Sequence, residues 1–299
     1  MVNLNDTIVT RNLLQEAFLN RILQRLDIDS EICSSLFTLR YHPKNQAATL
    51  RGIAQSIKID YKIYFEENSI NTYAARVNDK ILKVFKTEME QDKIDVNSIL
   101  NNSRGNRVFP YELTYQWLWK KKFSRMGWEL AKEIASPAVE ELNMIFIETT
   151  KRLNLNEDTF FPDDDNCIEL EKPYRLLINL PISNKYLLLI NESVEGEKYL
   201  LSPSKAFANI PHTILSEGLY LPPDDQKKGR AKFLGYETEG EEYFGVIVTE
   251  QPIDLSWVNS ESDPRDLILN QQRLEEIFIK VGQQSNSEVF YKRFRVVRK

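Results

Sequence analysis

Histidine and cysteine are scarce in this chain, with two of each among 299 residues. Two cysteines cannot build a disulfide framework, and neither Cys33 nor Cys167 has metal-ligand spacing around it. A reducing, cytoplasmic setting is therefore the expectation. Any histidine-dependent mechanism would have to run through His42 or His212. Uninterrupted apolar runs of about 18 residues are missing, which removes membrane-spanning helices. Met1–Asn12 has neither a basic segment nor an apolar one, so no secretory signal is expected there. Glycine-rich phosphate loops and a kinase-type His-Arg-Asp are absent as well. Low glycine and proline (10 and 12), with 42% hydrophobic and 28% charged residues, describe a folded globular chain, not a disordered or collagen-like one. The net charge of −5 argues mildly against nonspecific binding of nucleic acid.

What is present divides into two grammars. In Leu13–Leu26 the residues Leu14, Phe18, Ile22 and Leu26 recur at intervals of four, which predicts an amphipathic helix. Ala47–Lys58 and Tyr73–Glu90 follow the same spacing. Ser136-Pro137 reads as an N-cap followed by proline at the first helical position, opening a helix through Val139, Leu142, Ile145, Phe146, Thr149 and Leu153. From about residue 173 the period changes. Arg175–Leu180, Lys185–Asn191, Leu219–Pro223 and Tyr243–Thr249 are short apolar runs bounded by turn residues, hence strands. Glu195-Gly196 and Glu239-Gly240 read as turns. A late helix is expected within 265–282 and a final strand at 288–297.

The expected fold class is α+β: an all-α N-terminal half, then an antiparallel β-sandwich or barrel-like C-terminal domain with one late helix. The expected domains are 1–155 (helical), 156–172 (an acidic linker) and 173–299 (β). Residues 1–150 carry 20 basic and 19 acidic side chains, and residues 151–299 carry 19 and 25, so the acidity belongs to the second half.

Several strand sequences also carry a resemblance. Tyr174–Asn179, Tyr186–Asn191, Leu200–Ser204, Leu219–Pro222 and Glu242–Pro252 together resemble an uncharacterised bacterial, often cyanobacterial, accessory β-domain family attached to caspase-like peptidases and protein kinases. The resemblance spans residues 172–258 and rests on hydrophobic strands and turns. It implies an accessory or sensing module without catalytic residues. The rest of the chain shows neither peptidase nor kinase, which implies a partner of the effector: an effector peptidase, a kinase or another assembly subunit.

Candidate chemistry is thin. A Cys167–His212 pair can be written down, but Cys167 lies among carboxylates that disfavour the thiolate a nucleophile needs. His42, before Pro43, reads as a loop residue ending a helix. Asp163-Asp164-Asp165 lacks the spacing of a calcium loop and reads as a solvated acidic loop. Ala48–Asp60 loosely resembles the first helix of a helix-turn-helix, yet the following Tyr61–Glu67 is poor material for a recognition helix. The basic tail Tyr291–Lys299 reads as an exposed edge strand whose charge prevents aggregation. No catalytic residue, metal ligand or cofactor is expected.

Arg104–Lys132 is the most informative stretch, with seven basic residues, two acidic ones and three of the four tryptophans. On one helix, Trp117, Lys120, Lys121, Arg125 and Trp128 would share a face opposite Tyr111, Tyr115, Leu118, Trp119 and Met126. Such a face suits anchoring in a protein interface, and it also suits stacking on bases beside phosphates. If Gly127 breaks the helix, Trp128 packs in the core instead. The expected function is thus a non-catalytic adaptor or regulatory subunit of a signalling or defence assembly. The first alternative is a nucleic-acid-binding protein using 104–132, and the second is a carboxylate- and metal-dependent enzyme. No membrane partner is expected.

Overall fold

A computed structural model describes residues 12–101, 110–147, 166–207, 212–223, 233–259 and 262–298. The chain is α+β, with helices gathered in the N-terminal part, strands in the C-terminal part and one late helix. It forms two compact units, which divide between Leu130 and Ala131.

The first unit is helical: α1 (Leu13–Leu26), α2 (Glu31–Tyr41), α3 (Leu50–Asp60), α4 (Ile70–Val84), α5 (Lys86–Gln91), α6 (Val96–Asn101), α7 (Pro110–Trp117) and α8 (Ser124–Ile134), whose last turn falls past the division. Between α7 and α8, Leu118–Phe123 continues the helix as a π-helix. α1 begins where Asn12 accepts a hydrogen bond from the Gln15 amide at 3.2 Å, and it buries the expected Leu14, Phe18, Ile22 and Leu26. α3 starts the same way, with Thr49 accepting from the Gly52 amide at 3.1 Å, and buries Ile53, Ala54 and Ile57. After α3 the next α-helix is α4, so the short turn of a helix-turn-helix is not made.

The second unit carries β1 (Ser136–Pro137), β2 (Leu142–Phe146), β3 (Cys167–Glu169), β4 (Tyr174–Ile178), β5 (Tyr186–Glu192), β6 (Lys198–Ser202), β7 (Thr213–Ile214), β8 (Leu219–Leu221), β9 (Gly240–Thr249), α9 (Gln271–Val281) and β10 (Ser287–Val297). The larger sheet runs β1-β10-β9-β5-β6, with β3 also on β10 and β7 also on β5; the smaller runs β2-β4-β8. Leu142, Leu176, Ile178 and Leu221 of the smaller sheet share one core with Leu187, Leu189, Phe244, Val246, Phe294 and Val296 of the larger. β9 is buried along nearly its whole length, on both faces, as a strand covered from two sides must be. Beyond β6, the segment Leu267–Leu269 exchanges hydrogen bonds with Leu200 and Lys198 and closes that edge.

Two expectations are corrected here. The helix predicted from Ser136-Pro137 is instead β1 and then β2, so the helices described in the N-terminal part end with α8 at Ile134. Leu142-Asn143-Met144-Ile145-Phe146 is apolar at spacings that fit either period, and pairing with β4 decides it. β10 is not an edge strand, because β9 flanks it on one side and β1 and β3 lie parallel to it on the other. Its Lys292 points inward and donates to the Val139 carbonyl at 2.6 Å and to Asn143 at 3.1 Å. Gly240 opens β9 at φ +141°, where a Cβ would sit 2.6 Å from a Val194 methyl. Gly196, at φ +83°, does turn the β5–β6 hairpin as expected.

Candidate functional site

The helix through Arg104–Lys132 is continuous from Pro110 to Ile134, and Gly127 does not break it. Its environment nevertheless differs from a one-sided amphipathic helix. Trp117, Leu118 and Trp119 are consecutive and all buried. Trp119 turns toward α1 and α2: its ring lies 5.0 Å from Phe18, and its indole donates to the Tyr41 carbonyl at 2.8 Å. Trp117 turns to another side, with its ring 5.5 Å from Phe85 and its indole donating to Asp92 at 2.7 Å. Trp128 is buried too. The tryptophans predicted to line an exposed face are therefore core residues. The helix is packed on more than one side, which a single-stripe reading of spacing cannot register.

Lys120 and Lys121 are exposed, as expected. Arg125 grips Asp92 with both terminal nitrogens, one at 2.9 Å. One turn earlier on α5, Glu88 accepts from Lys122 at 2.6 Å and from Arg25 at 3.0 Å. Arg25 and Lys122 also lie over the Phe85 ring, at 4.6 and 5.6 Å. The hydrogen bonds from Arg125 hold the Asp92 carboxyl below the usual carboxylate range. Burial pushes Glu88 up, but its bonds to Lys122 and Arg25 outweigh burial and lower it. These two carboxylates were missed in the sequence, where only their i, i+4 spacing hinted at a shared face. Arg104 and Arg107 lie outside the described residues.

The other candidates fall apart in space. Cys167 is on β3 and Thr213, next to His212, is on β7; the order β3-β10-β9-β5-β7 puts four inter-strand steps, about 19 Å, between those strands. His212 instead meets Asp254 at 3.2 Å and stands edge-on to Tyr186. Near it, the Ser202 and Thr213 hydroxyls bond to each other at 2.6 Å, and both residues are buried. Neither hydroxyl is presented to a substrate. His42 caps the turn at Pro43 by accepting from the Lys44 amide, and burial lowers its pKa. Among the described residues no group of three or more His, Cys, Asp and Glu could hold a metal. Asp163–Asp165, and the predicted linker up to 165, lie outside them. No helix among the described residues is long and apolar enough to cross a membrane.

An unanticipated surface stands at the end of α3. Ile59, Tyr61 and Tyr64 are 64%, 43% and 84% exposed, three large side chains within six residues. Lys62 reverses the chain in the left-handed region at φ +56°, which an L-residue adopts at a cost. Beyond it burial alternates: Ile63 and Phe65 are half-buried and Tyr64 is exposed. Phe65 turns inward, edge-on to Tyr73 at 5.9 Å and under Lys58 at 5.5 Å, while Tyr64 points out.

No family model and no curated protein matches the chain. Among solved structures, the chain has a likeness to the Pseudomonas fluorescens alkylpurine DNA glycosylase AlkC bound to DNA containing an abasic-site analogue. The identity is 12%, the coverage 96% of this chain and 68% of that one, and the TM-score 0.16. A likeness that slight carries no argument about fold or function.

Proposed function

We propose that this chain is a non-catalytic adaptor or regulatory subunit of a bacterial, cytoplasmic signalling or defence assembly, working by surface recognition. The observation that carries the reading is the exposed Ile59–Tyr64 segment. Large apolar side chains so exposed, and so close in sequence, are what protein interfaces use as anchors. The anchors are thus Ile59, Tyr61 and Tyr64 in place of Trp117 and Trp128, whose indoles stabilise the helical unit from within. The nucleic-acid alternative loses its stacking platform with those tryptophans and is left with phosphate contacts alone.

The test is a double variant, Ile59→Ser with Tyr64→Ser, compared with wild type in tagged purification from the native host. Neither side chain contributes to the core, so thermal melting should be within about 0.5 kcal/mol of wild type. The expected outcome is a stoichiometric protein partner retained by wild type and lost by the variant. Retention of every partner by a folded variant would remove the adaptor surface from this segment.

A further inference from the structure

We infer that the surface formed by the end of α1, by α5 and by the π-helix with α8 is a docking face for an acidic segment of a partner protein. The inference rests on the adaptor reading and adds a second surface and its partner's chemistry.

The charges are unevenly matched there. Arg25, Lys86, Lys122 and Arg125 are paired with Glu88, Glu90 and Asp92. Lys93, Lys120 and Lys121 adjoin them in sequence, are exposed, and make no ion pair among the described residues. With Arg25, residues 86–93 and 118–134 carry eight basic side chains and five acidic ones, an excess of three. Glu88 and Asp92 each draw two charged or polar donors into fixed positions, so the cationic heads around them are held in place before a partner arrives. A preorganised cation loses less freedom on binding than a free one.

Two features favour carboxylates over a nucleic-acid backbone. Trp117, Trp119 and Trp128 are buried, so this face offers no ring for base stacking. Five carboxylates stand among the cations and the whole chain carries −5, both unfavourable to a long, densely charged polyphosphate. A short acidic peptide needs only the local excess.

The experiment titrates the full-length protein against a fluorescent peptide of about twelve glutamates, by anisotropy, at about 25 mM salt. Wild type should bind, and about 200 mM salt should weaken it strongly, as expected for exposed charges. Lys120→Glu with Lys121→Glu should weaken binding about tenfold or more. Lys44→Glu with Lys62→Glu changes the net charge equally at exposed sites outside the face and should leave binding within about twofold. No binding by wild type overturns the inference, as does equal loss in both double variants, which would reduce the effect to net charge. Tighter binding of a DNA duplex of similar charge would also overturn it, in favour of nucleic acid. A protein that keeps its partner through Ile59 and Tyr64 yet ignores the peptide sinks this inference alone. Loss of partner capture altogether sinks the adaptor reading.

Discussion

Two carboxylates with opposite shifts show how single residues set the stability of this protein. Asp92 accepts from the Trp117 indole and from Arg125, and those donors hold its carboxyl low. Asp92→Ala strands a buried indole N–H and should cost about 2–3 kcal/mol at pH 7. Trp117→Phe leaves Asp92 with its arginine and should cost only about 1 kcal/mol. A depressed carboxyl stabilises the fold above its unfolded pKa and loses that contribution as pH falls through its folded value. The deficit of Asp92→Asn, measured by urea denaturation, should therefore shrink below the ordinary value of 3.8. Glu242 runs the other way. It is buried on β9, and desolvation raises it despite hydrogen bonds from Asn191 at 2.7 Å and the Val194 amide at 3.3 Å. The folded state then prefers the protonated acid, so stability falls as pH rises from the ordinary 4.5 toward the raised value. Glu242→Gln should flatten that slope. An unchanged slope in the variant would assign it to another group.

At the scale of elements, the π-helix is the least replaceable piece of the helical unit. Its wider turn sets the phase between Trp117 at the end of α7 and Arg125 and Trp128 on α8. Inserting an alanine after Lys121 would add a second extra residue to a turn that already holds one, and would rotate everything after it by roughly 100°. Arg125 would leave Asp92 and Trp128 would leave the core, so a loss of about 3 kcal/mol or more is expected, readable by chemical denaturation. An insertion without cost would mean the helix can re-register freely. No propensity marks this turn in the sequence, since Leu118–Phe123 reads as ordinary helix. Other elements were legible because one physical period dominated them. The four-residue stripe of α1, the amphipathic α9 and the turn-bounded β4, β5 and β9 all appear near their predicted places. Elements failed to read wherever two periods fit equally, as in β2, or where pairing came from distant strands, as with β1 and β3 on β10. The candidate face was half legible. Its lysines are exposed as charge dictates, but tryptophans respond to how many sides of a helix are covered, and spacing within one segment does not encode that.

For the whole molecule, the distinction between an adaptor and a nucleic-acid-binding protein becomes a question of how binding responds to salt and to nuclease. Residues 151–299 carry 25 acidic and 19 basic side chains, while residues 1–150 are nearly balanced, so any pull on phosphate must come from a local face against an acidic whole. Such binding would be driven by counterion release. A site neutralising about six phosphates loses on the order of a thousandfold in affinity between about 50 and 200 mM salt. Recognition through Ile59, Tyr61 and Tyr64 behaves differently, because burying apolar surface is nearly indifferent to moderate salt and only the charged face is screened. Tagged protein purified from the native host should therefore keep a protein partner after nuclease treatment, with retention at about 200 mM salt reduced but not abolished. Ile59→Ser with Tyr64→Ser should remove what remains at that salt, since the apolar contribution is then gone. A partner set that collapses on nuclease treatment, with nucleic acid co-purifying, would overturn the adaptor and shift the function to the phosphate-binding alternative, carried by Lys120 and Lys121.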